Sequence, residues 1–118
     1  MSDATYPTPA VLSLALRDRD ELYASYMPFV PNGGLFVPTA QTIALGRDVL
    51  LEVTLPDGQD RLELPGTVVW ITPSGAHNGR EPGLGVAFRD VEATRLARRH
   101  IETLLGGVLN SSRPTHTV

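Results

Sequence analysis

The chain of 118 residues has no cysteine, which excludes disulfides and thiolate chemistry and fits a reducing compartment. It has no excess of positive charge either. Ten Lys and Arg stand against 13 Asp and Glu, a formal net charge of -3, so the field that nucleic acid or an anionic membrane selects is missing and a protein or small-molecule partner is favoured. No apolar run approaches the roughly 20 residues that span a bilayer. The opening MSDATYPTPA lacks the basic and apolar stretches of a secretory signal. A cytoplasmic protein is expected, long enough for one domain that buries about two thirds of its unfolded surface.

The groupings that chemistry requires are absent too. His77 falls in a polar loop, His100 on a helix and His116 in the tail, and their spacing makes no zinc or two-histidine site. Ser13, Ser25 and Ser74 have no nucleophile elbow around them, and Asp57 and Asp60 are turn residues of PDGQD before they are bases. No catalytic residue, metal ligand or cofactor site is expected, and the protein is read as a non-enzyme. The pair Gly33 and Gly34 is followed by neither a Lys nor a helix, so a tight turn is favoured over a phosphate cradle.

What is present is mostly strand. Residues 62–88 read as a β-hairpin, two apolar runs around a polar, Gly-containing loop. Strict alternation would send Leu62, Leu64, Gly66, Val68 and Trp70 to one face and Glu63, Thr67, Val69 and Ile71 to the other. The return run puts Leu84, Val86 and Phe88 opposite the small Gly85 and Ala87, an alternation suited to a curved sheet. Residues 11–16 and 49–55 alternate likewise and are predicted strands. The mixed charges of residues 17–21 suggest a solvated turn. Residues 22–29 are ambiguous between strand and irregular chain, with Pro28 and Pro31 stopping any helix, and Gly33 and Gly34 turn the chain into a strand at residues 35–37. After Phe88 the period lengthens: Asp90 is the expected cap of a helix whose stripe is Ala93, Leu96, Ala97, Ile101, Leu104 and Leu105, ended by Gly106 and Gly107. Residues 108–118 read as a flexible tail carrying only Val108 and Leu109 as apolar residues. The fold class is mainly β (α+β), five or six strands with one C-terminal helix.

The runs FVPNGGLFVP, LPGTVVWITP and GLGVAF, in that order and followed by a helix, resemble the PilZ domain, and specifically the short single-domain PilZ proteins of type IV pilus biogenesis and twitching motility. The resemblance implies a six-stranded barrel with a C-terminal helix over residues 1–107. Most PilZ domains are receptors for cyclic di-GMP with two ligand motifs, and both are degenerate here. Before residue 29 the only arginines are Arg17 and Arg19, so the family's Arg-x-x-x-Arg is missing; the one such spacing, Arg95 to Arg99, lies on the helix, where it merely aligns two surface charges. In the second motif Phe29 stands where the family has Asp or Asn and Pro31 where it has Ser, with only Gly34 retained. Each lost charged or buried hydrogen bond costs roughly 1.5 to 3 kcal/mol, enough together to remove micromolar binding.

A protein surface is the alternative use of that region. Tyr23, Tyr26, Met27 and Phe29, with Trp70, supply the residue types enriched at interface cores. Tyr23 is expected at the surface, whereas Phe29 and Trp70 suit core and surface equally. Val108 and Leu109 are further contact candidates in a tail that orders on a partner. The resemblance implies the partners: the hexameric pilus-assembly ATPase of PilB type and a GGDEF-EAL signalling protein of FimX type that senses the dinucleotide itself. Tyr23 and Trp70 are expected in the ATPase contact. The competing reading is a cyclic di-GMP receptor with a rearranged site built on Arg17, Arg19 or Arg80.

Overall fold

A single curled sheet is organised around its longest strand. The computed structural model describes residues 10–57, 61–73 and 81–106. In chain order these form β1 (Ala10–Ala15), α1 (Arg19–Ser25), β2 (Gly34–Pro38), β3 (Asp48–Thr54), β4 (Arg61–Thr72), β5 (Gly83–Phe88) and α2 (Glu92–Leu105). The sheet order is β1-β3-β4-β5-β2, with β4 central. β4 pairs antiparallel with β3 on one side and β5 on the other, as the hairpin reading expects, while β1 pairs parallel with β3.

The inner face follows from strict alternation. Leu12 and Leu14 of β1, Val49, Leu51 and Val53 of β3, Leu64 and Val68 of β4, and Leu84, Val86 and Phe88 of β5 are all buried in one cluster. The sheet curls into a half-barrel over this cluster and α2 closes it, a β-rich α+β fold of the expected kind. Five strands are present among the described residues rather than six. The ambiguous stretch between β1 and β2 explains the difference: only Tyr26 pairs with the sheet, in a single antiparallel bridge to Leu35, and Pro28, two residues later, has no N–H to continue a ladder.

The charged run is a helix, not a turn. Asp18 is its N-cap and accepts from the Glu21 N–H at 2.8 Å, while Asp20 and Glu21 complement the helix dipole in the first turn. Arg17 outside the helix pairs with Glu21 at 2.8 Å. Charge on this short helix faces solvent and Leu22 and Tyr23 face the core.

α2 follows the expected period with two differences. Its N-cap is Val91 rather than Asp90: the Thr94 hydroxyl accepts the Val91 N–H at 3.2 Å and also reaches the carbonyl oxygens of Arg89 and Val91, leaving Asp90 to pair with Arg95. The buried stripe is Thr94, Ala97, Ile101 and Leu105, narrower than the sequence suggests, and Leu96 is 53% exposed. Gly106 terminates the helix with φ +51°, a conformation that favours glycine.

Candidate functional site

The chain from residue 26 to residue 36 is fastened at both ends and carries an aromatic side chain between them. Tyr26 closes α1 through its N–H to Leu22, and the next N–H, of Met27, donates to Gly34 O at 2.9 Å. On the far side Gly33 N–H donates to Val30 O at 3.0 Å, closing a turn with Pro31 at its second position, and Phe88 N–H donates to Gly33 O at 2.9 Å. Gly33 adopts φ +76° and a Cβ on Gly34 would lie 2.3 Å from Val86 O. The glycine pair thus supplies a left-handed turn and then a close backbone approach, as its sequence suggests.

Trp70 reaches this segment because β4 is bulged. Val68 lies opposite Val86 but Trp70 lies opposite Gly85, with Val69 the extra residue. Since Val86 and Gly85 point to opposite faces, Trp70 leaves the face of Leu64 and Val68, correcting the alternation expected from sequence. On this outer face Gly85 is a floor without a side chain: a Cβ there would be 2.6 Å from Trp70 Cβ and 3.0 Å from Met27 Cε. Gly83 similarly lies under the Phe36 ring, whose Cζ would be 2.5 Å from an added Cβ. Met27 and Phe36 are fully buried yet outside the main core cluster. They form, with Trp70, a second thin apolar layer outside the half-barrel. The Trp70 indole donates to Thr72 Oγ1 at 2.8 Å, and Phe29 caps it with ring centroids 6.4 Å apart at 58°. Phe29 remains 49% exposed.

The other interaction candidates separate. Tyr23 is only 7% exposed and belongs to the core cluster, contrary to the surface position expected; a helix, unlike a turn, rotates it onto the same side as Leu22 and away from water. Tyr26 is 1% exposed, and its hydroxyl donates to Glu102 Oε2 at 2.6 Å. Neither ring is available to a partner in this conformation. Val108 and Leu109 lie outside the described residues, as do Arg80, His77 and His116. Of the three positions that the sequence reading aligns with the family's second ligand motif, Phe29 and Pro31 are exposed and Gly34 is buried.

A polar network flanks the aromatic pair. Arg98 of α2 donates from Nε to Glu102 Oε2 at 3.3 Å and from Nη1 to Pro31 O at 3.0 Å. The Tyr26 hydroxyl and then the guanidinium hold Glu102 below the ordinary carboxylate range against the opposing effect of partial burial. Burial, followed by the negative Glu102, raises the Tyr26 phenol above its ordinary value, and Glu102 raises Arg98. Three other arginines among the described residues are engaged elsewhere: Arg17 is held by Glu21, Arg19 Nη2 donates to Leu105 O at 3.3 Å, and Arg95 pairs with Asp90. Among the described residues no cluster of three His, Asp or Glu could hold a metal ion, and no helix is long and apolar enough to cross a membrane.

Residues 6–107 match the family model of the PilZ domain. The chain belongs to the PilZ domain family. Among curated proteins no match was found. PilZ domains are generally non-catalytic binding domains. In this PilZ domain the surface next to the Gly33–Gly34 turn presents Phe29 against Trp70, and the Arg98 guanidinium beside it is turned toward the protein's own backbone.

Proposed function

We propose that this PilZ domain is a non-enzymatic, cytoplasmic adaptor of type IV pilus biogenesis. It docks on the pilus-assembly ATPase and on a GGDEF-EAL signalling protein, and it relays a cyclic di-GMP signal without holding the dinucleotide. The observation that carries this reading is Phe29: a large apolar ring, half exposed and tilted against Trp70, at the position where the family motif has a polar ligand group. A ring held in place by a second ring loses little conformational freedom on binding and offers apolar area to another protein. The competing receptor reading loses support from Arg17 and Arg19, whose side chains are engaged by Glu21 and by the end of α2.

The test is capture of the purified assembly ATPase by the full chain and its Phe29→Ala variant. A hot-spot ring contributes about 2 kcal/mol or more, so the variant should bind roughly thirtyfold more weakly. Trp70→Ala should weaken capture as well, with some loss of stability because the indole packs against Phe29 and its N–H bonds Thr72. Equal capture by Phe29→Ala and the unaltered chain would reject this surface.

A further inference from the structure

The turn beside Phe29 is tied to α2 by the Arg98 side chain. Between the two anchors, Met27 N–H to Gly34 O and Phe88 N–H to Gly33 O, the turn at residues 30–33 is closed by the Gly33 to Val30 hydrogen bond. The added restraint comes from α2, 67 positions away in sequence, where Arg98 Nη1 donates to Pro31 O at 3.0 Å. The same guanidinium is itself fixed. Its Nε donates to Glu102 Oε2, and that oxygen also accepts from the Tyr26 hydroxyl at 2.6 Å. A side chain at Gly33 would meet Tyr26 Oη at 3.2 Å and Arg98 Cδ at 3.4 Å, so the turn rests directly on this network.

We infer that Arg98 is a positioning residue for the docking surface: it clamps the Pro31 carbonyl to α2 and thereby holds Phe29 over Trp70. A planar guanidinium serves both acceptors because its donors point in fixed, diverging directions, whereas an ammonium on a flexible stem reaches one of them at a time. The clamp joins the turn, α1's end and α2. Any change that draws Arg98 away, such as an anionic group on a partner competing for it, releases the turn and the ring on it. The role assigned to the surface rests on the adaptor reading; the clamp itself is measurable without a partner.

The chain has one tryptophan, so selective indole emission reports on Trp70 alone. Acrylamide quenching is measured on the full chain, on Phe29→Ala, which defines the uncovered indole, and on Arg98→Ala, Arg98→Lys and Arg95→Ala, with thermal unfolding followed in parallel. Arg98→Ala should move the quenching constant most of the way to the Phe29→Ala value while the thermal midpoint changes little. Arg98→Lys should fall between. Arg95→Ala, whose partner Asp90 lies outside the network, should match the unaltered chain. Quenching of Arg98→Ala equal to the unaltered chain overturns the inference, as does an equal rise in Arg95→Ala or a Phe29→Ala variant with no rise at all. If Arg98→Ala does not fold, Arg98→Lys carries the test: quenching at the unaltered value overturns the clamp and a raised value supports it. Failure of the ATPase to bind the unaltered chain rejects the adaptor reading and leaves these quenching values as they stand.

Discussion

Gly34 leaves no room for a side chain. A methyl group there would press on the Val86 carbonyl oxygen, which belongs to a paired strand and cannot swing aside as a side-chain end can. Gly34→Ala should therefore cost about 1 to 3 kcal/mol, the range for overpacking, read as a lowered urea midpoint. Tyr26→Phe tests a different bond. It leaves the ring buried and removes the hydroxyl from Glu102, at a cost of about 1 kcal/mol once the partial exposure of Glu102 is allowed for. The folded Glu102 titrates below its ordinary value of 4.5, so its contribution is present above that value and is lost as the pH falls through the folded one. Tyr26→Phe should accordingly lose less stability than the unaltered chain over that acid range in urea titrations at stepped pH. At the alkaline end the sign reverses: the Tyr26 phenol is raised above 10.0, so its contribution is present below 10.0 and is lost as the pH rises from there through the folded value. The glycine pair was legible in the sequence because its neighbours gave it no other use. The inward turn of Tyr23 was not, because it depends on whether the preceding charges form a turn or a helix.

At the scale of elements, sequence periodicity carried β1, β3, the β4–β5 hairpin and α2 to within about a residue or two, the usual uncertainty of element ends. It failed where a local device interrupts the period. Val69 adds one residue to β4 and moves Trp70 to the other face, and nothing in VVWIT distinguishes a bulged strand from a regular one. α1 did leave a signal, an Asp followed three residues later by Glu, masked by the alternation of charge around it. The start of α2 offers a paired prediction. Thr94 is buried and its hydroxyl accepts the cap N–H, so Thr94→Val should cost about 1 to 2 kcal/mol. Asp90, the cap expected from sequence, makes only an exposed pair with Arg95, and Asp90→Ala should stay within about 0.5 kcal/mol. Denaturant unfolding of the two variants decides which residue caps the helix.

At the scale of the whole molecule, the half-barrel presents two apolar surfaces of different size. The inner one is filled by the strands and α2. The outer one is a thin layer of Met27, Phe36 and Trp70 on a floor of Gly83 and Gly85, left open at Phe29. The sequence offered Phe29 and Trp70 as apolar candidates, but their contact emerges only once the bulge and the turn are placed in space. The central claim is that this surface serves a protein and no longer holds the dinucleotide. Calorimetric titration of cyclic di-GMP into the full chain tests it most directly: the account predicts no saturable heat at micromolar concentrations, and a stoichiometric micromolar isotherm would contradict it.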